Sequence, residues 1–546
     1  PTLLQPVNID GRLYIDGGVV SNYPIDALRA VGVDLVIGVD VQNELASRDE
    51  LNSATAIISQ ISNYRTHHQM SGLIPKTDLY INPKVQNHSV IDFSSSDAII
   101  LKGEQEANKH LIALSQVAKQ FPRHQPKKVV QSKDSVDIRK IDIFGNQKYP
   151  RNYILGKIKL KEPKIVSFDD FGQGVNNLMA TNNFERLYYE FHARDEGFDL
   201  WLFPDESKNT RLVKLGLHYD QLFKSAALIN LTQKQAFLKN DVLSLDLILG
   251  ENMRYNFEYY IDKGFYWSVG LRARFDRFQS SVDPNTFVPG YEILEGVRSI
   301  LIDMDQFSNT FYLQTLFPKD FMLTIGAEHK RLRIASQTIS ELDNNTPIVF
   351  FNNNLLSLKG MLKFDNLDSK FFPTKGFLFE GQADWYLSSN SQDFEPFLTT
   401  HGYFGKTWQL SDKVATTMST SGGFTIGQNP IGFFNFGLGG NVRHQINNYI
   451  PFYGYRPLTL IGEDFVKATF VIDYNIYNRH HLKFLVNGGH VDDRLWASGQ
   501  WATAPTHTGL AAIYALDSFL GPVEFTYSYE PKAHQSLWMV NFGFWF

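Results

Sequence analysis

Trp267-Ser268-Val269-Gly270-Leu271-Arg272-Ala273-Arg274-Phe275-Asp276 is the stretch whose reading decides the fold. Trp267, Val269, Leu271, Ala273 and Phe275 share one parity, and Ser268, Gly270, Arg272, Arg274 and Asp276 share the other. Successive side chains of a β-strand point to opposite faces, so a strict period of two sets an apolar face against a charged one. A soluble sandwich would turn the charged face to water, whereas a membrane barrel turns the apolar face to lipid and the charged face to a wet lumen.

The same period recurs on either side. Leu243, Leu245, Leu247 and Leu249 alternate with Ser244, Asp246 and Gly250, and Trp538, Val540, Phe542, Phe544 and Phe546 share one parity at the end of the sequence. Three features select the barrel. The strands run about ten residues, enough to cross a bilayer when tilted. No convincing helix interrupts the region from Thr210 onward, and the sequence ends on the aromatic Phe546. At roughly 20 residues per strand and loop, about 16 strands fit, an even number within the range of such barrels. Residues 208–546 are therefore expected to form a transmembrane antiparallel β-barrel in the bacterial outer membrane.

Composition agrees. Aromatic residues make up 14% of the 546 residues, as girdles at two membrane interfaces require. No apolar run approaches the roughly 18 residues of a membrane-spanning helix. A net charge of −5 gives no reason to expect nucleic acid as a partner. There is no cysteine, so neither a disulfide framework nor a thiolate metal site is possible. No metal or organic cofactor is called for. His67-His68 sit side by side on a predicted helix, where neighbours do not face one another, and read as a solvated face.

Two units precede the barrel. Residues 1–121 alternate short apolar runs, such as Asp34-Leu35-Val36-Ile37-Gly38-Val39, with helical segments at 52–70 and 96–121, an α/β pattern. Residues 122–135 (PRHQPKKVVQSKDS) form a linker. Residues 136–207 read as a small α+β unit in the order β-α-α-β-β. Pro150 opens its first helix, the second spans 168–180, and a hairpin joins strands at 187–192 and 198–203. That order, standing before a barrel, resembles a POTRA domain, a periplasmic module.

Residues 364–376 (FDNLDSKFFPTKG) resemble a strand–turn–strand signature of the BamA-type superfamily of outer-membrane assembly and secretion barrels. Pro373 and Gly376 would shape the turn, with Asp365 and Asp368 capping nearby amides. That family carries an Arg-Gly-Tyr or Arg-Gly-Phe tip on a loop folded into the lumen, and an inward Asp that pairs with the arginine. Here the matching stretch is Phe452-Tyr453-Gly454-Tyr455-Arg456-Pro457, and Leu485-Val486-Asn487-Gly488-Gly489 carries Asn487 for the Asp. Gly454 and Tyr455 match, while Tyr453 replaces the arginine. Losing one member of a buried ion pair strands a charge, but losing both need not, so the loop is expected to dock through neutral bonds or stacking. Arg456 stands one residue beyond the matched tip, and whether it substitutes for the missing guanidinium is open.

Residues 6–24 (PVNIDGRLYIDGGVVSNYP) resemble the patatin-like phospholipases around their catalytic aspartate. Asp16-Gly17-Gly18 matches that family's D-G-G/A, with Asn22 and Pro24 in place, and Asp10-Gly11 reads as a hairpin turn. The resemblance implies Asp16 as general base to a nucleophilic Ser, with Gly17 and Gly18 shaping the turn beside it. The family's G-x-S-x-G occurs nowhere in the sequence, and it is expected upstream of Pro1 in a longer precursor. Patatin-like, POTRA-like and BamA-type segments follow this order in patatin autotransporters. The resemblance thus implies an outer-membrane serine lipid acyl hydrolase acting on membrane phospholipids, a possible homo-oligomer, with this segment alone inactive. The alternative is a BamA-type transport or assembly barrel in which the patatin-like segment is a non-catalytic cap. Asp16→Ala separates the two.

Overall fold

The structure is a computed structural model, and it describes residues 7–9, 12–17, 21–42, 45, 47–48, 51, 54–85, 96–120, 134–264, 267–282, 299–316, 321–340, 346–427, 434–441, 448–477, 479–518 and 520–543. The chain divides into two compact units, Pro1–Ser132 and Lys133–Phe546.

The first unit is α/β. A hairpin of β1 (Val7–Ile9) and β2 (Arg12–Tyr14) pairs Ile9 with Arg12, as a two-residue turn at Asp10-Gly11 requires; that turn itself lies outside the described residues. Then follow α1 (Ile25–Ala30), β3 (Ile37–Val39), α2 (Ala54–Ser71), β4 (Leu79–Ile81), α3 (Ser96–Lys109) and α4 (Leu111–Gln120). β3 and β4 pair in parallel. The single helix expected over 96–121 is two, broken at His110. The linker at 122–135 falls almost wholly outside the described residues.

The second unit opens with an α+β layer: β5 (Ser135–Ile143), α5 (Arg151–Ile158), β6 (Lys164–Ser167), α6 (Phe168–Ala180), β7 (Phe184–Ala193) and β8 (Phe198–Glu206). The sheet order is β6-β5-β8-β7, with β5 and β8 parallel. Pro150 caps α5, and the Ser167 hydroxyl accepts the Asp170 N–H at the start of α6. Ile138, Ile154, Leu178, Leu200 and Leu202 are fully buried between sheet and helices. The short β6 was absent from the expected β-α-α-β-β order.

The barrel is closed and has sixteen strands. They are β9 (Arg211–Asp220), β10 (Lys224–Lys234), β11 (Asp241–Gly250), β12 (Arg254–Ile261), β13 (Ser268–Val282), β14 (Ile300–Leu316), β15 (Phe321–Ser340) and β16 (Pro347–Asp365). After β17 (Gly376–Ser389), β18 (Phe397–Ser411) and β19 (Val414–Ile426), the connecting loop holds three short strands. These are β20 (Phe436–Leu438), β21 (Tyr449–Ile450) and β22 (Leu460–Gly462). The barrel resumes with β23 (Asp464–Tyr477), β24 (His480–Asp492), β25 (His507–Ser518), β26 (Gly521–Glu530) and β27 (Gln535–Gly543). The parity expected from sequence holds: Leu215, Leu271 and Trp538 face outward and are exposed, whereas Asp276, Glu328 and Glu524 face inward and are buried. Charge faces the lumen because an outward carboxylate would meet hydrocarbon.

Below, the near end of the barrel is the end facing the α+β layer, and the far end is the opposite one. The two are fastened together. Lys234, at the near end of β10, is buried and donates to Thr181 O (3.0 Å), Asn182 O (2.9 Å) and Asn183 Oδ1 (2.7 Å) just past α6. A helix C-terminus leaves carbonyls without partners, and a cation there complements them. Lys157 on α5 pairs with Asp262 in the next near-end turn at 2.5 Å. Burial pushes the Tyr149 hydroxyl of this layer up to about 12.

Candidate functional site

The loop between β19 and β23 folds back into the lumen. Its strands form a small sheet, β21-β20-β22, and Phe436, Leu438, Ile450 and Phe452 pack with Phe465 of the barrel wall. The tip at 453–456 is held by Asn487 and Glu530. Asn487, on β24 and 1% exposed, accepts the Tyr453 N–H through Oδ1 (2.9 Å) and donates Nδ2 to Tyr453 O (3.2 Å). The expected neutral docking is therefore present, and it runs through main chain. Gly454 has φ +97°, a conformation that penalises any Cβ, and it lies against Gly509 and Tyr529. The Tyr455 hydroxyl donates to Glu530 at 3.2 Å. Arg456 is exposed, and its guanidinium has no hydrogen bond or ion pair among the described residues.

The Tyr453 side chain joins an apolar cluster with Phe372, Leu485, Ile513 and Met539. Phe372 belongs to the near-end turn after β16. His481 stacks on its ring at 4.3 Å, the Lys483 ammonium sits 4.3 Å from the ring centre, and Lys483 donates to Phe371 O. The turn is built as its sequence indicates. Asp365 accepts the Leu367 N–H at 3.2 Å, and Asp368 accepts Thr374 N (2.8 Å), Lys375 N (3.2 Å) and the Thr374 hydroxyl (2.5 Å). Burial acts to raise the Asp368 carboxyl, but these bonds outweigh it and hold it below the usual range. Gly376 closes the turn at φ +112°. Two sequence signatures, one from each end of the barrel, thus meet in one dry cluster along the β24–β27 wall.

Along the β13–β17 wall lies a polar cavity of about 530 Å³. Glu328 pairs with Lys330 (3.3 Å) and Lys359 (3.2 Å), Lys359 reaches Asp384 (3.5 Å), and Lys330 donates to the Tyr386 hydroxyl (3.1 Å). Above it, toward the far end, Tyr386 packs with Phe397 and Phe434 in an apolar cluster that includes Ile302, Leu332 and Tyr449.

The barrel closes where β27 meets β9. Among the described residues, β27 meets β9 only through Phe542 with Tyr219 and Gly543 with His218. The adjacent β26–β27 ladder runs from Val523–Phe542 to Glu530–Gln535. Among the described residues, 535–541 of β27 have no strand partner across this seam, although Gln221 Nε2 donates to Trp538 O at 2.9 Å.

In the first unit, Asp16 is exposed, Gly17 has open space at its Cβ position and accepts the Ser21 N–H at 2.9 Å, and Gly18 lies outside the described residues. Elsewhere in the unit Asp40 is buried and accepts the Tyr80 hydroxyl at 2.6 Å and Asn82 Nδ2 at 3.0 Å; His67 and His68 are exposed.

The sequence profile of the OMP85 superfamily matches residues 198–546, more than half of the chain. The fold is similar to that of BamA from Haemophilus ducreyi lacking POTRA domains 1–3, at 13% identity and TM-score 0.50, covering 74% of this chain and 84% of that one. CdiB from Acinetobacter baumannii matches at 13% identity and TM-score 0.48, covering 99% and 93%. The protein is a bacterial outer-membrane barrel. The same match overturns the expectation of a serine lipid acyl hydrolase, because this is a family of outer-membrane barrels and not of serine hydrolases.

Proposed function

Because the chain belongs to the OMP85 superfamily, we propose that it is a transport or assembly barrel that handles other polypeptides at the outer membrane. Residues 136–207 act as a POTRA-like module in front of the barrel, and residues 1–121, patatin-like in sequence, form a non-catalytic cap. In that cap Asp16, Gly17 and Gly18 take no part in catalysis. Tyr453, Gly454, Tyr455 and Asn487 set the position of the lumen loop, and Arg456 lies beside them. The partners are client polypeptides and the lipids of the bilayer.

The observation that carries this reading is the edge at 535–541 of β27, which has no β9 partner among the described residues. An unpaired strand edge is a template for another chain, which adds to it by main-chain hydrogen bonds. A barrel built only as an anchor has no use for such an edge. Depletion of this chain should impair membrane insertion or secretion of client polypeptides and leave lipid-ester turnover unchanged; Asp16→Ala should leave both unchanged. Normal client handling after depletion would refute the proposal.

A further inference from the structure

The outward parity of the barrel changes along β19, β23 and β24. On β19, β23 and β24 the lipid-facing positions toward the near end are apolar, with Met418 57%, Phe470 44% and Val486 52% exposed. At the far end the same parity carries Gly422, Asp464, Gly488 and His490. A carboxylate and an imidazole facing hydrocarbon would be costly.

The loop 493–506 covers them. It leaves β24, turns through a short helix, α7 (Leu495–Ser498), and lies over the outside of the wall. Asp464 accepts the Trp496 N–H at 3.4 Å, and the Trp496 indole N–H donates to Gly423 O at 3.0 Å. The Trp496 ring lies against Gly422, 3.3 Å from where a Cβ would stand, and Pro505 lies 3.1 Å from the same position of Gly488. His490 is bonded to Thr503 O (3.3 Å) and to the Thr506 hydroxyl (3.4 Å). The small outward residues make a saddle, and the loop is strapped into it.

The strap presents two indoles outward. Trp496 and Trp501 sit 5.4 Å apart and are 37% and 46% exposed. They continue the lipid-facing belt of Phe424 and Ile426 at the rim of the barrel. Indoles favour the zone where acyl chains meet headgroups, apolar on one side and wet on the other. We propose that the strap 493–506 is a lipid-interface anchor whose occupant is the bilayer leaflet at the far end, with Trp501 inserted at headgroup level. The commitment to lipid rests on that continuity with the belt.

The test uses the full chain folded into phosphatidylcholine vesicles whose acyl chains are brominated at shallow or deep positions. Wild type is compared with Trp501→Phe and with Trp496→Phe, each checked for the heat-dependent shift in gel migration of a folded barrel. The expected result is that shallow bromines quench a blue-shifted emission component that Trp501→Phe loses, and that aqueous iodide does not reach it. Equal shallow quenching of wild type and Trp501→Phe, or iodide quenching of that component, would overturn the proposal. So would a dimer in sedimentation that Trp501→Phe dissociates, since the face would then bind a second copy.

Discussion

The Asn487 side-chain amide and the Tyr453 peptide group bond to each other twice, Oδ1 to N–H at 2.9 Å and Nδ2 to C=O at 3.2 Å, in a site where Asn487 is 1% exposed. An amide matches both main-chain groups, whereas a carboxylate could match only the donor. The neutral lock therefore needs Asn at 487. Asn487→Ala should weaken loop docking by about 2 kcal/mol, the cost of stranding buried main-chain groups. Asn487→Asp should be at least as damaging. Protease cleavage within 440–460 of the folded barrel reads the difference.

Phe372 lies in one apolar cluster with Tyr453, clamped between His481 and Lys483. Phe372→Ala should cost about 3 kcal/mol, in the range of buried aromatic truncations. It should also raise single-channel conductance in planar bilayers, because the cluster closes the β24–β27 side of the lumen.

Lys234 fastens the α+β layer by three hydrogen bonds to residues 181–183. Lys234→Met should cost about 2 kcal/mol at that contact, as hydrogen bonds to a buried charge do. Amide exchange should rise at 178–184 while the barrel strands stay protected. Unchanged exchange there would show that the bonds do not hold the layer.

The Asp368 carboxyl is held below its ordinary value of 3.8 by the bonds it accepts. A depressed carboxylate contributes stability that is fully present above its unfolded value and is lost as pH falls through its folded one. The turn at 366–375 should therefore loosen only below about pH 4. Asp368→Asn should loosen it at neutral pH and remove the acid dependence, seen by proteolysis at that turn.

Much of this was legible in the sequence, and the reason is periodicity. Trp267 to Asp276 gave the lumen and lipid faces of β13 without tertiary information, and 364–376 gave a turn whose Asp365 and Asp368 caps are present. Tyr453 and Asn487 were found together through the family signature, but their bonding through main chain was not foreseeable from residue types. The saddle escaped because Asp464 and His490 contradict the alternation until the strap covers them. Lys234 reads as one more solvated lysine between Gln233 and Gln235; only packing shows that it caps a helix end. The hydrolase reading failed because D-G-G is a three-residue local signature, whereas the superfamily match spans residues 198–546.

The most direct test of the account is a reversible lock on the seam. Tyr219 and Phe542 are register partners across β9 and β27, and the chain has no cysteine to interfere. With Tyr219→Cys and Phe542→Cys combined, oxidation should block insertion or secretion of client polypeptides, and a reductant should restore it. The barrel should stay folded throughout. Undiminished client handling by the fully oxidised protein would contradict the central claim.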